Sequence, residues 1–335
     1  MRKKKINIVI PSLTVSSELI NCLLKFNNQR YKNFFVTIVL DFSNKNKIPN
    51  LNYKLNILIV GNKTMSFKRN LGVKRFKSDF IVFLDSDAYA EKNWLLNGVK
   101  ILNNKKNYII GGPSIPFPKQ SMEEMMCYYA KRSYFVTGYL NFRKYKSNDR
   151  YCDWVESCNM MMHRDLFLNN KGMNEKIYVG EDKECIERFK KQNKSIKVFF
   201  SSKIFIYHKE RGLFKFLLQR IVFGSNLYNI TNFNNKLSSF QPLLPLTIVL
   251  IFISSILFIN DYSTKIKFVT YFFVSIQVLI LFDVFKYLKD IRKILFTLII
   301  INLANISFVI GNIFQLMGIK DILRSKIYLK SRNNL

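Results

Sequence analysis

Three long apolar runs fill most of the last third of this 335-residue chain, at residues 242–259, 266–282 and 294–317. A helix needs about 17–25 mainly apolar residues to cross a bilayer, and these runs lie near or within that range. The first two runs are separated by a short polar turn, which predicts a helical hairpin through the membrane. We therefore expect residues 242–335 to form a membrane anchor and exclude a wholly water-soluble fold.

The third run can be placed in two ways, because amide side chains interrupt it. These are Asn302, Asn305, Asn312 and Gln315. The run could span the membrane with its polar face against the other helices, or it could be re-entrant. The basic loop Lys286–Lys293 is expected on the cytoplasmic side. A third span would carry the basic tail Lys320–Arg332 to the opposite side, against the positive-inside tendency, so the sequence leaves this topology open.

The charge of the chain is strongly unbalanced, with 53 Lys and Arg against 22 Asp and Glu and a formal net charge of +31. Most acidic residues precede Gln241, so a charged domain is followed by the apolar segment. The positive excess could attract an anionic lipid surface or a phosphorylated ligand. It could equally reflect coding bias, since Lys greatly outnumbers Arg. No zinc-ligand spacing, aromatic RNA-binding signature or basic helix supports a nucleic-acid partner.

Two features indicate that the charged domain lies in a reducing, cytoplasmic compartment. The cysteines are irregularly spaced without a CxxC pair, which argues against a disulfide framework. They are Cys22, Cys127, Cys152, Cys158 and Cys185. The N-terminus starts like a signal peptide, but its apolar run Ile6–Ile10 is too short and stops at Pro11. We interpret this run as a buried first strand.

Strand and helix patterns alternate up to residue 110. The predicted strands are Ile6–Ile10, Phe35–Leu40, Leu55–Val60 and Phe80–Leu84, and the predicted helices are Ser17–Asn27 and Ser66–Phe76. Continuous apolar strands separated by helices predict an α/β fold with a mostly parallel sheet that is covered on both faces. Ligands of such sheets bind at the carboxyl ends of the strands, where Asp41 and Asp85 fall.

The strongest local signal is FIVFLDSDA, in which a buried strand is followed by Asp85, Ser86 and Asp87. Two carboxylates one residue apart can hold a hard divalent cation that keeps other ligand positions open. Such a cation could bind a diphosphate and neutralise a nucleoside diphosphate leaving group. The alternative is a solvated turn, since Asp and Ser are common turn residues. A site with many histidines is excluded, because the chain contains only His163 and His208.

A second acidic pair, Glu181-Asp182, follows Gly180 and opens a predicted helix that runs to Gln192. A carboxylate held near a metal-diphosphate centre could act as a general base and deprotonate an acceptor hydroxyl. The alternative is that the pair only complements the dipole at the helix N-terminus. The residues alone do not separate these two interpretations.

The segment LFKFLLQRIVFGSNLY, residues Leu213–Tyr228, precedes the apolar runs. Its apolar residues are interspersed with Lys, Gln and Arg, which favours an amphipathic helix at the membrane interface over an ordinary packed helix. The predicted organisation is therefore a catalytic domain over residues 1–211, an interfacial segment over 212–241 and the anchor over 242–335.

Several motifs follow one another in a defined order over residues 5–225. INIVIPSL, VTIVLDFSN and SFKRNLGVKRFKSDFIVFLDSDA come first, then NWL and GGP, and last SCNMMMHRDLF and GMNEKIYVGEDKECIERF. Together they resemble family 2 glycosyltransferases, the inverting, nucleotide-sugar-dependent enzymes with a GT-A fold. The second motif departs from the family pattern, because Leu40 replaces an acid and Phe42 a glycine.

The resemblance implies a nucleotide pocket built from the first motifs. Pro11 and Ser12 would line this pocket, Asp41 would bind the base, and Arg69 would lie near the nucleotide. The donor would be a nucleotide sugar.

The resemblance also implies a metal and catalytic centre. Asp85 and Asp87 would serve the ribose, the diphosphate and a divalent cation, Mg²⁺ or Mn²⁺, with Asp87 as the preferred direct ligand. His208 matches a family position near the diphosphate and is a further candidate ligand, although a lone histidine could be structural. Asp182 would be the catalytic base, with Glu181 beside it. One displacement at the anomeric carbon would then invert its configuration.

These features predict a hexosyl-transferring glycosyltransferase in cell-surface polysaccharide biosynthesis. Its acceptor is expected to be a saccharide, and a lipid-linked one in view of the anchor. We expect a multi-pass protein of the bacterial inner (cytoplasmic) membrane, with the catalytic domain facing the cytoplasm.

Two other functions are weighed against this one. A polyprenyl-phosphate sugar synthase would use a lipid phosphate as nucleophile, but AYAEKNWL is unlike the Pro-rich segment that typically follows Asp-x-Asp in those relatives. A non-catalytic membrane-attached assembly protein on a transferase scaffold is disfavoured by the presence of Asp41, Asp85, Asp87 and Asp182 together.

Overall fold

The computed structural model describes residues 3–44, 46–226 and 244–318. Two sequence-based expectations lie partly or wholly beyond these residues. The end of the predicted interfacial segment, residues 227–241, and the basic tail Lys320–Arg332 are outside the described residues.

The chain divides into two compact units. The first comprises residues 1–118 and 142–209, and the second comprises residues 119–141 and 210–335. The second unit thus takes in a segment from the middle of the chain. Hydropathy does not indicate this long-range association, because residues 119–141 show no long apolar run.

The first unit is built on two sheets. Its strands are β1 (Ile6–Ser12), β2 (Phe34–Leu40), β3 (Lys54–Ile59), β4 (Phe80–Leu84), β5 (Ala88–Ala90), β6 (Tyr108–Gly111), β7 (Ser114–Pro116), β8 (Arg150–Tyr151), β9 (Asn159–His163), β10 (Lys197–Phe200) and β11 (Ile206–His208). The larger sheet has the order β3-β2-β1-β4-β9-β6-β10-β8, and the smaller has the order β5-β11-β7. Strands β1 to β4 are mutually parallel, whereas β9 runs antiparallel between β4 and β6.

The helices of both units follow the chain in this order. They are α1 (Ser17–Phe26), α2 (Met65–Arg75), α3 (Trp94–Leu102), α4 (Met122–Arg132), α5 (Tyr134–Thr137), α6 (Arg164–Asn169), α7 (Glu181–Gln192), α8 (Leu213–Ser225), α9 (Leu244–Phe258), α10 (Tyr262–Phe285) and α11 (Ile291–Leu316). Ser16 and Thr64 accept backbone N–H groups at the starts of α1 and α2, which are the side-chain caps that helix N-termini require.

The predicted α/β fold with a mostly parallel sheet is confirmed. Each strand and helix predicted before residue 110 is present, with ends that differ by at most two residues. Strands β1, β2 and β4 are buried along their whole length, as their continuous apolar sequences require.

Helices α10 and α11 are long and apolar enough to cross a membrane, with 24 and 26 residues. They extend the predicted runs at residues 266–282 and 294–317, and α11 is one continuous helix. The run at residues 242–259 forms α9, whose described part has 15 residues and is shorter. Asn302 of α11 exchanges two side-chain hydrogen bonds with Gln277 of α10. Through this pair, α11 presents one of its amide side chains to a neighbouring helix.

Helix α8 packs tightly across α11 at a pair of glycines. A Cβ on Gly224 would collide with the carbonyl oxygen of Phe308, and a Cβ on Gly311 with that of Ile221. The two backbones can approach this closely because neither residue has a side chain. On another face of α8, Phe214 remains 74% exposed.

Candidate active site

The acidic residues singled out from the sequence lie where the parallel strands end. Asp41 follows β2 directly, and Asp85 and Asp87 follow β4. Pro11 and Ser12 form the end of β1, the strand between these two. The carboxyl edge of the sheet therefore carries the predicted nucleotide and metal residues, as parallel α/β topology dictates.

Asp41 is held in a buried ion pair. Its Oδ1 lies 2.7 Å from Nζ of Lys68, and the two side chains are 1% and 0% exposed. Lys68 also donates a hydrogen bond to the carbonyl oxygen of Ser12, and the backbone N–H of Lys63 donates to Asp41. Sequence reasoning missed Lys68, because a lysine in a helix that is rich in basic residues ordinarily indicates a solvated face.

The next residue of α2, Arg69, connects the two acidic motifs. Its Nη2 donates to Oδ1 of Asp85 and its Nη1 to Oε1 of Glu181, each at 2.9 Å. Arg69 is buried, which by itself disfavours its charge, but Asp85, Glu181 and Asp182 raise the pKa of the guanidinium above its usual value. The consecutive residues Lys68 and Arg69 thus hold Asp41 and the pair Asp85 and Glu181 respectively.

Asn70 and Gly72, which follow Arg69 in the sequence RNLG, fix the position of α2. Asn70 accepts a hydrogen bond from the N–H of Met173 and donates to the carbonyl oxygen of the same residue and to Glu175. These bonds tie α2 to the loop that leads into α7. Gly72 lies against Val9 of β1, where a Cβ would collide with the valine side chain. The motif is therefore explained by packing as well as by charge.

The predicted helix after Gly180 is present, and the acidic pair forms its first turn. Gly180 has a φ of +80°, a left-handed conformation that glycine adopts at little cost. Asp182 accepts hydrogen bonds from the N–H groups of Ser157 and Lys183, at 3.0 and 2.8 Å. Burial and the neighbouring charge of Glu181 raise the pKa of Asp182 to about 7. A carboxyl with this pKa can accept a proton at neutral pH far more readily than an exposed aspartate.

His208, at the end of β11, faces the carboxylates of Asp85 and Asp87. Its Nε2 lies 3.8 Å from Oδ2 of Asp85 and 3.4 Å from Oδ1 of Asp87. The Nδ1 atom lies 2.7 Å from the carbonyl oxygen of Lys209. A carbonyl can only accept, so Nδ1 carries a proton, and in the neutral ring Nε2 then presents a lone pair to two carboxylates. A cation placed among these three acceptors removes their mutual repulsion, and the donor set fits a divalent metal ion.

Cys158 lies in the same cluster. The ligand atoms of Asp85, Cys158 and His208 all lie within 4.8 Å of one another. The sulfur atom of Cys158 also lies 3.5 Å from Oγ of Ser114. Desolvation by burial raises the pKa of this thiol well above its usual value. The sequence had indicated only that Cys158 is not part of a disulfide framework, and all five cysteines are free.

Glu156 is a further carboxylate that sequence reasoning missed. Both of its oxygens accept hydrogen bonds from Nζ of Lys144, at 2.9 and 3.0 Å. Although burial opposes its charge, Lys144 and Arg143 lower the pKa of Glu156 to about 2. Glu156 immediately precedes Ser157, whose N–H holds Asp182, so this ion pair fixes the backbone beside Asp182. No spacing rule relates residues 143–144 to residue 156, which is why the sequence gave no signal.

Comparison with known proteins finds similarity to one family in the first half of the chain. Residues 7–168 match the family model described as Glycosyl transferase family 2. The uncharacterized glycosyltransferase YfnE of Bacillus subtilis (strain 168) is 24% identical over 115 residues. That match covers 32% of this chain and 29% of YfnE, so the chain is compared with less than a third of that relative's length.

One solved structure shows the fold, and a second is similar over part of the chain. The mannosyltransferase PcManGT of Pyrobaculum calidifontis, in complex with GDP-Man and Mn²⁺, is similar with a TM-score of 0.59 and 10% identity, over 95% of this chain and 88% of that chain. TarS of S. aureus is similar with a TM-score of 0.44 and 15% identity, over 67% of this chain and 40% of its own. The first of these likenesses extends over nearly the whole chain and concerns the fold alone.

Proposed function

Because the chain carries a family 2 glycosyltransferase domain with the GT-A fold, followed by two long apolar helices, we propose that this glycosyltransferase is a membrane-anchored inverting enzyme. It moves a sugar from a nucleotide-sugar donor to a saccharide acceptor, which we propose is lipid-linked. The observation that carries this proposal is Asp182, a half-buried carboxyl with a pKa of about 7 beside the Arg69, Asp85 and Glu181 network.

Asp182 is proposed to be the general base. Its two backbone hydrogen bonds hold the carboxylate in one orientation, so that it can take the proton of an acceptor hydroxyl as that oxygen attacks the anomeric carbon. Attack from the face opposite the nucleotide breaks the bond to the diphosphate in the same step. A single displacement of this kind inverts the anomeric centre and needs no covalent intermediate.

Asp85, Asp87 and His208 are proposed to hold a divalent cation, Mg²⁺ or Mn²⁺. When bound, the cation would stabilise the negative charge on the departing diphosphate. The structurally similar PcManGT was solved with GDP-Man and Mn²⁺, which supports this assignment. Arg69 holds Asp85 through one oxygen, and the other oxygen of Asp85 faces His208. Arg69 thereby orients the carboxylate toward the cation position.

The nucleotide is proposed to bind at the ends of β1 and β2, against Pro11, Ser12 and Asp41. The ion pair with Lys68 fixes the Asp41 side chain, so a base that meets it finds an acceptor in one orientation. A fixed acceptor selects a base edge that presents an N–H group.

Helices α10 and α11 are proposed to anchor the protein, with the first unit on the cytoplasmic side of a bacterial inner membrane. Both helices expose large apolar side chains, among them Tyr271, Phe282 and Leu295, at 69, 67 and 54%. Helix α8, with the exposed Phe214, is proposed to lie at the interface. An enzyme anchored in this way works where a polyprenyl-linked saccharide is found.

Donor hydrolysis and transfer by the detergent-extracted full chain test the proposal. We expect one nucleoside diphosphate to be released from a panel of UDP-, GDP- and dTDP-sugars when Mn²⁺ is present. Asp182→Asn should lower kcat by about 10²–10⁴-fold, the typical contribution of a general base. In the unsubstituted protein, kcat should rise with pH and level off above about pH 7, because Asp182 must be ionised.

Glu187→Gln is the matched control, since Glu187 lies on the same helix and pairs with Lys183 at 3.7 Å. This variant should retain normal turnover. Full activity in Asp182→Asn would disprove the assignment of the base, and nucleotide binding without turnover of any donor would favour a non-catalytic scaffold. Product analysis separates the acceptors: a lipid monophosphate sugar would identify a polyprenyl-phosphate sugar synthase instead.

A further inference from the structure

Cys158 lies among the residues that we assign to the cation, and the mechanism above gives it no role. Its sulfur and the ligand atoms of Asp85 and His208 are mutually within 4.8 Å, a separation that small side-chain movements can bring to a shared ion. His208 is already oriented for ligation, because Nδ1 donates to a backbone carbonyl and Nε2 faces the carboxylates. Three different donor types therefore meet at one point: carboxylate oxygen, imidazole nitrogen and sulfur.

We propose that Cys158 is a ligand of this cation, and that the centre consequently prefers thiophilic ions such as Zn²⁺ and Co²⁺ over Mg²⁺. The inference rests on the proposed function for the assignment of Asp85 and His208 to a cation. It goes beyond that assignment by adding a ligand and by predicting which ions the centre selects.

The selectivity for one metal ion over another follows from the types of ligand atom. Sulfur and imidazole ligands suit transition metal ions and Zn²⁺, whereas Mg²⁺ requires oxygen ligands in octahedral geometry and keeps several waters. Ligation by Cys158 breaks its S–H bond and forms a metal–sulfur bond, and the proton passes to water. No oxidant or reductant takes part. Zn²⁺ and Co²⁺ bring about this exchange readily, and Mg²⁺ does not.

The neighbours of Cys158 fix its position. Ser157 on one side holds Asp182 through its backbone N–H. Asn159 on the other side donates to the carbonyl oxygens of Gly112 and Ile204 and accepts from the indole N–H of Trp94. The cysteine is thus held between two anchored residues, one of which contacts the proposed base. A ligand at residue 158 places the cation next to the segment that orients Asp182.

Cobalt spectroscopy on the full chain tests the proposal. The detergent-extracted protein is stripped of metal with a chelator and titrated with Co²⁺ alone. We expect a thiolate-to-cobalt charge-transfer band in the near ultraviolet. Cys158→Ser should abolish this band and weaken Co²⁺ binding by more than about tenfold, while Mg²⁺ binding changes by less than about twofold. Cys152→Ser is the matched control, a half-buried cysteine outside the cluster, and it should keep the band.

A second measurement uses the unsubstituted protein, so it does not depend on the folding of a variant. Zn²⁺ should slow the alkylation of Cys158, followed by peptide mass spectrometry, relative to that of Cys152. An equal concentration of Mg²⁺ should leave both rates unchanged. A missing charge-transfer band, a band that persists in Cys158→Ser, or equal protection by Zn²⁺ and Mg²⁺ would overturn the proposal.

Turnover measured on the same preparations separates this inference from the proposed function. Donor hydrolysis with Mg²⁺ or Mn²⁺ in a protein that shows no cobalt–thiolate band would leave the transferase assignment standing and remove Cys158 from the site. A cobalt–thiolate band that depends on Cys158, without turnover of any donor, would support the ligand and contradict the transferase.

Discussion

Two aspartates of the candidate site lie in different environments. Asp41 is buried and paired with the ammonium group of Lys68. Asp182 is half-buried, accepts hydrogen bonds from two backbone N–H groups and lies beside another acid, Glu181. The first environment holds the carboxylate against a cationic group in one orientation. In the second, desolvation and the charge of Glu181 raise the pKa to about 7. Desolvation and the neighbouring charges together therefore determine what each acid can do.

Removing the ammonium group that pairs with Asp41 is expected to have the largest effect on stability. Lys68→Met leaves Asp41 buried without its ammonium partner, which should destabilise the first unit by about 3–5 kcal/mol. The apparent melting temperature in detergent measures the change. Asp41→Asn combined with Lys68→Met should restore part of the loss, because the charge without a partner is then absent. Lys74→Met, at an exposed position of the same helix, is the control, and an equal loss there would refute the ion pair's role.

The ion pair of Asp41 should add to stability, whereas ionised Asp182 should reduce it. The folded state raises the pKa of Asp182 from 3.8 to about 7. The contribution of this carboxyl to the free energy of unfolding is therefore fully present below about pH 4 and is lost as the pH rises through about 7. Asp182→Asn cannot ionise, so it should lose less stability than the unsubstituted protein between about pH 5 and pH 8, by up to about 3 kcal/mol. Thermal unfolding at both pH values measures this difference. A variant whose pH dependence matches that of the unsubstituted protein would contradict the raised pKa.

Substitution of Arg69 should have a smaller effect, and this effect is on catalysis. Arg69→Lys keeps the positive charge but cannot hold Asp85 and Glu181 with two separate N–H groups. Loss of one charge-assisted hydrogen bond, worth about 1.5–3 kcal/mol, should lower kcat by about 10- to 100-fold. Kinetics of donor hydrolysis test this, with Arg75→Lys on the exposed end of α2 as control. Unchanged kcat in Arg69→Lys would show that the two acids do not depend on a common partner.

The smallest expected effect concerns the second unit, where Gln277 and Asn302 pair as neutral amides. Gln277→Ala and Asn302→Ala, alone and together, form a double-mutant cycle across α10 and α11. The coupling energy should be about 0.6 kcal/mol, as for other hydrogen bonds between membrane helices. Unfolding in mixed detergent measures it, and Ser254→Ala, whose hydroxyl bonds within its own helix, is the control. A coupling of zero would mean that the reciprocal amide pair does not hold the helices together.

The acids at the strand ends could be predicted from the sequence, because each follows a continuous apolar strand whose direction the α/β pattern determines. The raised pKa of Asp182 could not, since its main cause is desolvation of this side chain, which only the folded arrangement of distant segments determines. Lys68 was missed for the same reason: its partner Asp41 is distant in sequence, and a buried lysine looks like a solvated one in a list of residues. Local periodicity reports which face of an element is apolar, and it does not report which distant charge lies opposite.

The sequence also predicted three apolar segments near its end without indicating what packs on them. The glycines at the crossing of α8 and α11 supply that information, and they have a mechanical consequence. Two backbones in direct contact cannot separate without losing that contact, so a movement of α11 is expected to carry α8 with it. A membrane helix tilts when the hydrocarbon layer becomes thinner or thicker. If α11 spans the bilayer as proposed, α8 should follow each such tilt.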